Sequence, residues 1–148
     1  MNIFILDEDP VIAARMLCDR HIPKMIVESA QMLSTAHRLL DGSPTKRRSR
    51  SGKTIQTYYE FKDARDELYY TAVHKHHPCT TWTMASIENY NWHYGHFAEM
   101  SKEFTFRRQK NHATWEKIGL ILAAPPINIP KIKRTEFAQA MSHYPECK

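Results

Sequence analysis

Glycine is scarce, with 4 among 148 residues. Tight turns draw on positive φ, which glycine adopts freely, so the shortage argues against a turn-rich all-β chain and toward helices. Long apolar runs are also missing. The longest, Ile3 to Leu6 and Ile118 to Ala124, fall far short of the ~18–20 residues that cross a bilayer, so no membrane partner is expected. Cysteine appears only as Cys18, Cys79 and Cys147, odd in number and widely spaced. That pattern excludes a disulfide framework and a CxxC metal pair, and it suits idle thiols in a reducing compartment. A basic leader is absent too, because Asp7, Glu8 and Asp9 follow the start almost at once. The expected location is the cytoplasm.

What is present is a chain of single-domain size, 42% hydrophobic and 25% charged, with a net charge of +5. The excess of lysine and arginine favours anionic partners. It is concentrated in three places: Lys46, Arg47, Arg48, Arg50 and Lys53; Arg107, Arg108 and Lys110; and Lys131, Lys133 and Arg134.

Periodicity predicts an all-α, single-domain bundle spanning 1–148, with about five to seven helices and a short extended arm at residues 2–6. Asp7 or Asp9 can cap a helix that has Pro10 in its first turn. A long helix is expected from near Asp19 to Leu40, ended by Gly42. Residues 43–53 read as an exposed basic loop, and Thr57 to Val73 as a third helix. A short turn at Thr80 to Met84 precedes a second long helix from Ser86 to Arg108. Ala113 to Leu122 and Thr135 to Met141 read as shorter helices. The two long helices should pack together, with a basic face running from the Lys46 loop toward Arg107 and Arg108.

Four constellations can carry chemistry. His21 and Glu28 stand seven residues apart, on nearly the same side of the long helix, with Lys24 one turn before Glu28. A carboxylate on a largely apolar helix can serve in proton transfer, or it can simply pair with a base at the surface. His74, His76, His77 and Cys79 have zinc-ligand chemistry but no familiar zinc spacing, and neither a metal nor a cofactor is expected. Asn89, Trp92, His96, Glu103 and Arg107 form a polar stripe, suited either to a cleft that reads bases and phosphates or to a network joining helices. The cations at Lys46, Arg47, Arg48 and Arg50 can contact phosphate, as can Arg108.

The run Asp19-Arg20-His21 followed by Glu28 resembles a helix of the phage pyrimidine-dimer DNA glycosylases of the endonuclease V type. Gly95-His96-Phe97, leading to Arg107-Arg108-Gln109, looks like that family's second long helix. The chain also resembles small phage proteins that open with a similar Asn-Ile-Phe-Ile-Leu-Asp segment. The first resemblance implies a base-excision glycosylase, with or without AP-lyase activity, acting on damaged or modified pyrimidines in double-stranded DNA. It implies nucleotide flipping, attack of the N-terminal α-amine on the sugar C1′, and proton transfer by Glu28 with His21 nearby. The ordinary α-amine pKa of about 7.7–8.0 suits that attack better than a lysine's. The nucleic-acid contacts expected are Lys24, Lys46, Arg47, Arg48, Arg50, Asn89, Trp92, His96, Arg107 and Arg108, read from charge and helical spacing. For a phage protein the compartment is the host cytoplasm. Two other readings stay open: a non-catalytic phage protein that binds nucleic acid or a host factor, and a small metal-dependent or nucleotide-processing enzyme using the His74–Cys79 corner.

Overall fold

Asp9 caps the first helix, α1 (Pro10–Arg15), by accepting the Val11 N–H at 2.8 Å. Pro10 stands where a missing N–H costs nothing. The computed structural model describes residues 1–49 and 51–140. A long helix follows, α2 (His21–Asp41), and Gly42 closes it by donating to the Arg38 carbonyl. Its apolar side, including Ile22, Met25, Ile26, Ala30 and Leu33, is buried.

The chain then departs from an all-helical design. Residues 43–60 form a hairpin of β1 (Ser43–Arg48) and β2 (Ile55–Glu60), antiparallel with Lys46 opposite Thr57 and Ser43 opposite Glu60. This corrects the all-α expectation: the basic segment is mostly strand, and the helix expected from Thr57 is strand to Glu60. Ile55, Thr57, Tyr58 and Tyr59 are β-branched or aromatic, types that suit a pleated surface. Gly52 sits in the connection at φ 71°, a conformation that other residues adopt only with strain. Only one helical turn, α3 (Arg65–Leu68), remains of the predicted third helix.

Arg38 holds the hairpin and the following loop to α2. It is fully buried and donates to the carbonyls of Tyr59, Asp66, Tyr69 and Tyr70 and to the Asp66 carboxylate, at 2.6–2.8 Å. A buried guanidinium is tolerable only when its donors are satisfied in this way.

Next come α4 (Pro78–Ala85) and α5 (Ile87–Arg108), capped by His77 and Ser86 respectively. The short turn expected at Thr80 is thus a fuller helix that starts at Pro78. The long helices α2 and α5 pack together as expected, with α1 against α5 and α4 against both. Beyond α5, the predicted Ala113–Leu122 helix is distorted into a wide π turn at Trp115–Gly119 and a 3-10 turn at Ile121–Ala123. Gly119 is required there, since a Cβ would lie 2.4 Å from the Trp115 ring. No helix forms at 135–140. Instead Thr135 is tied to Asn89, its N–H donating to Oδ1 at 3.0 Å and its Oγ1 accepting from Nδ2 at 2.8 Å. Met141, the expected end of that helix, and Cys147 lie outside the described residues. No helix is long and apolar enough to cross a membrane among the described residues.

Candidate active site

The N-terminal arm is what brings the chain start to α2. Ile3 is buried with Ala13, Met32, Cys79, Trp82 and Trp92, so the arm is anchored by apolar contact. Glu28 lies beneath it. The Met1 α-amine is 3.6 Å from Glu28 Oε2, and the Asn2 N–H donates to the same oxygen at 3.0 Å. Lys24 Nζ is 3.6 Å from the other oxygen, Oε1. One carboxylate thus faces two cations and a backbone donor, with its side chain 14% exposed.

The neighbours continue this arrangement. Asn2 Oδ1 accepts from Cys79 Sγ at 3.2 Å, which joins the arm to the start of α4. His77 Nδ1 accepts the Cys79 N–H at 3.2 Å. That bond keeps Nδ1 unprotonated and leaves Nε2 as the neutral ring's donor. Burial first, then the charge of the amine and His74, hold His77 below its ordinary value, while Glu28 pulls the other way. His74 turns the chain at φ 46° just before this corner.

α2 carries the site along one face. Glu28, Gln31, Thr35 and Arg38 recur at spacings of three, four and three, which a helix stacks on one side. Thr35 Oγ1 donates to the Gln31 carbonyl and accepts the Val73 N–H at 3.1 Å, pinning the segment beside the hairpin. From Glu28 to Arg38 is about 15 Å of helix at ~1.5 Å per residue.

The other expected residues are distributed differently. His21 is exposed and stacks on Phe4 with ring centroids 5.0 Å apart; among the described residues it makes no hydrogen bond or ion pair with Glu28. Asn89, Trp92 and His96 are buried; Asn89 and Trp92 are tied to other segments by hydrogen bonds, and His96 has no such partner among the described residues. Asn89 also binds the Trp82 carbonyl, and Trp92 Nε1 donates to Glu8 and stacks on His96. Arg107 is occupied by Asp19, Glu103 and the Arg15 and Leu17 carbonyls, while Arg108 is exposed. These arginines sit beside the start of α2, whereas Lys46, Arg47 and Arg48 follow its end, so the basic face is not continuous. Lys46 Nζ bonds Thr57, and Arg47 pairs with Glu60. Arg50 lies outside the described residues.

Sequence reasoning missed a buried network. Thr83 Oγ1 donates to the Cys79 carbonyl, so it accepts from His93 Nδ1 at 2.8 Å, and Nε2 then accepts from Ser29 at 3.0 Å. The role of Asn2 was also missed, because chain ends give no periodic signal. Among the described residues, no group of three or more His, Cys, Asp or Glu side chains is placed to hold a metal ion. Comparison with known protein families, curated proteins and solved structures finds no match for this chain.

Proposed function

We propose that the chain is a DNA-acting enzyme, a glycosylase with AP-lyase activity that uses the Met1 α-amine as nucleophile and Glu28 as its proton acceptor. The observation that carries this reading is the 3.6 Å approach of the amine to Glu28 Oε2. A nucleophile and its base within reach of one another are the minimum such chemistry requires. The resemblance to the pyrimidine-dimer glycosylases supports the same pairing.

In this mechanism Glu28 takes a proton from the amine. The neutral nitrogen then attacks C1′ of a flipped nucleotide, and the glycosidic bond breaks with its electron pair leaving on the base. Opening of the sugar gives an iminium between the amine and C1′. Loss of a C2′ proton then expels the 3′ phosphate by β-elimination. Lys24 neutralises charge beside the carboxylate, and the hairpin cations contact the backbone. Double-stranded DNA carrying a damaged pyrimidine or an abasic site is the proposed substrate, met in the cytoplasm of a phage host.

The test is strand cleavage of such a duplex by the wild type and by Glu28→Gln. The reading predicts cleavage by the first and none by the second, with both folded. Cleavage undiminished in the variant removes Glu28 from the chemistry.

A second reading has its own support. Glu28 is already paired with Met1 and Lys24, which is what a purely structural clasp for the arm would look like. On that reading the chain is a phage protein that binds nucleic acid or a host factor without catalysis. Absence of cleavage by a folded wild type on both substrates would favour it.

A further inference from the structure

The free edge of β2 does not close against its neighbour. Residues 71–75 run beside it, and two clefts open between them, of about 480 Å³ and about 400 Å³. They share Gln56, Thr57, Ala72 and Val73, so they adjoin across the edge of β2. Adjacent strand residues point to opposite faces, which gives one cleft Tyr59 and the other Tyr58. Each ring has a cation above it: Lys75 Nζ is 5.7 Å from the Tyr59 centroid, and the Arg47 guanidinium 4.1 Å from that of Tyr58. Arg48 also lines the second cleft.

We infer that this paired groove binds a single strand of nucleic acid, its cations taking phosphates and its tyrosine edges and amide groups meeting the bases. The charge decides the sign of the ligand. The hairpin carries Lys46, Arg47, Arg48, Arg50 and Lys53 against Glu60 as its one acid, and Glu60 is spent on Arg47. Tyrosine edges set among cations favour a nucleic acid over an acidic peptide, since a base offers an aromatic ring for an edge to meet and a carboxylate does not. Size decides the form: the clefts are single-ligand indentations beside one strand, not a wide concave face for a duplex. Thr35 and Arg38 fix both walls to α2, the helix that bears Glu28. The inference rests on the nucleic-acid part of the proposed function, and it supplies a seat for the strand that unpairs around a flipped nucleotide.

The experiment is fluorescence anisotropy of the full chain with a labelled, undamaged oligothymidylate and with a duplex of equal length, over a series of salt concentrations. Undamaged DNA forms no Schiff base with the amine, so failure of strand cleavage leaves the assay untouched, and the groove variants assign the binding to the groove. Expected is tighter binding of the single strand, weakened roughly tenfold by Lys75→Glu and by Arg48→Glu, with a shallower salt slope in each. Both side chains are exposed, and circular dichroism confirms folding. Tyr59→Ala should lose the preference for the single strand, and Tyr59→Phe should keep it. Equal affinity for both forms, unchanged binding in the charge variants, or displacement by polyglutamate as readily as by oligothymidylate would overturn the inference.

Discussion

Glu28 and Arg38 stand on the same face of α2 and illustrate two uses of charge. Glu28 is half-buried and shared between the amine, Lys24 and the Asn2 N–H, with the Lys24 side chain itself open to solvent. Arg38 is enclosed and spends every donor on fixed oxygens, which suits an ion that never moves. Their variants should separate accordingly. Arg38→Met strands four carbonyls and one carboxylate, and should cost about 3–5 kcal/mol, the range for breaking a buried charged network. The urea midpoint measures it; a midpoint shifted by less than about 1 kcal/mol equivalent would mean the loop finds other donors. Glu28→Gln should leave that midpoint nearly unchanged. Residues added before Met1 are a further probe. A preceding residue converts the Met1 α-amine into an amide, which has no nucleophilic lone pair and no charge to pair with Glu28. An N-terminal tag should therefore abolish strand cleavage, and the same tag at the C-terminus should not. Equal cleavage by both forms would remove the amine from the mechanism.

Among the elements, the hairpin is where the sequence was least legible. Tyr58, Phe61, Leu68 and Ala72 happen to recur at helical spacing, which masked a strand none of whose residues is buried. Without a buried face there is no clean alternation to read, and the remaining signal was residue type alone. α2 and α5 were legible for the opposite reason: long buried faces impose the 3.6-residue period, and caps mark their ends. The corner at His74–Cys79 was visible as chemistry but not as geometry, since only the folded arm brings Asn2 to Cys79. Glu28 could be singled out from its helix, whereas its partner amine could not be placed by any periodicity. The hairpin carries its own prediction. Reversing Lys46, Arg47 and Arg48 together should weaken DNA binding and flatten its dependence on salt, because fewer counterions are released. An unchanged salt slope would mean that the strand does not touch phosphate.

At the scale of the whole molecule, the interior holds several neutral histidines. Burial keeps His37 at about 4, His93 at about 3 and His96 at about 4, against an ordinary 6.5. His37 donates to Tyr90, and His93 bridges α2 and α4 with Nε2 accepting from Ser29, so protonating His93 disturbs a joint between helices. Both ring nitrogens of His96 are buried without a hydrogen-bond partner among the described residues. The sign follows from proton uptake. Below about 6.5 the unfolded chain takes up protons that the folded chain refuses, so unfolding gains as pH falls. Stability should be full above about pH 6.5 and decline progressively toward pH 4 and below. Thermal melting at about pH 7.5 and about pH 5 checks this, and equal midpoints would contradict it.

The central claim is that the Met1 amine and Glu28 act as a nucleophile and its base. Borohydride trapping tests it most directly. The protein is mixed with duplex DNA carrying a pyrimidine dimer or an abasic site, reduced, digested and mapped by mass. The account predicts a covalent adduct on the Met1 nitrogen, absent in Glu28→Gln. A folded wild type that gives no adduct on either substrate, or one mapped to a lysine, would contradict it.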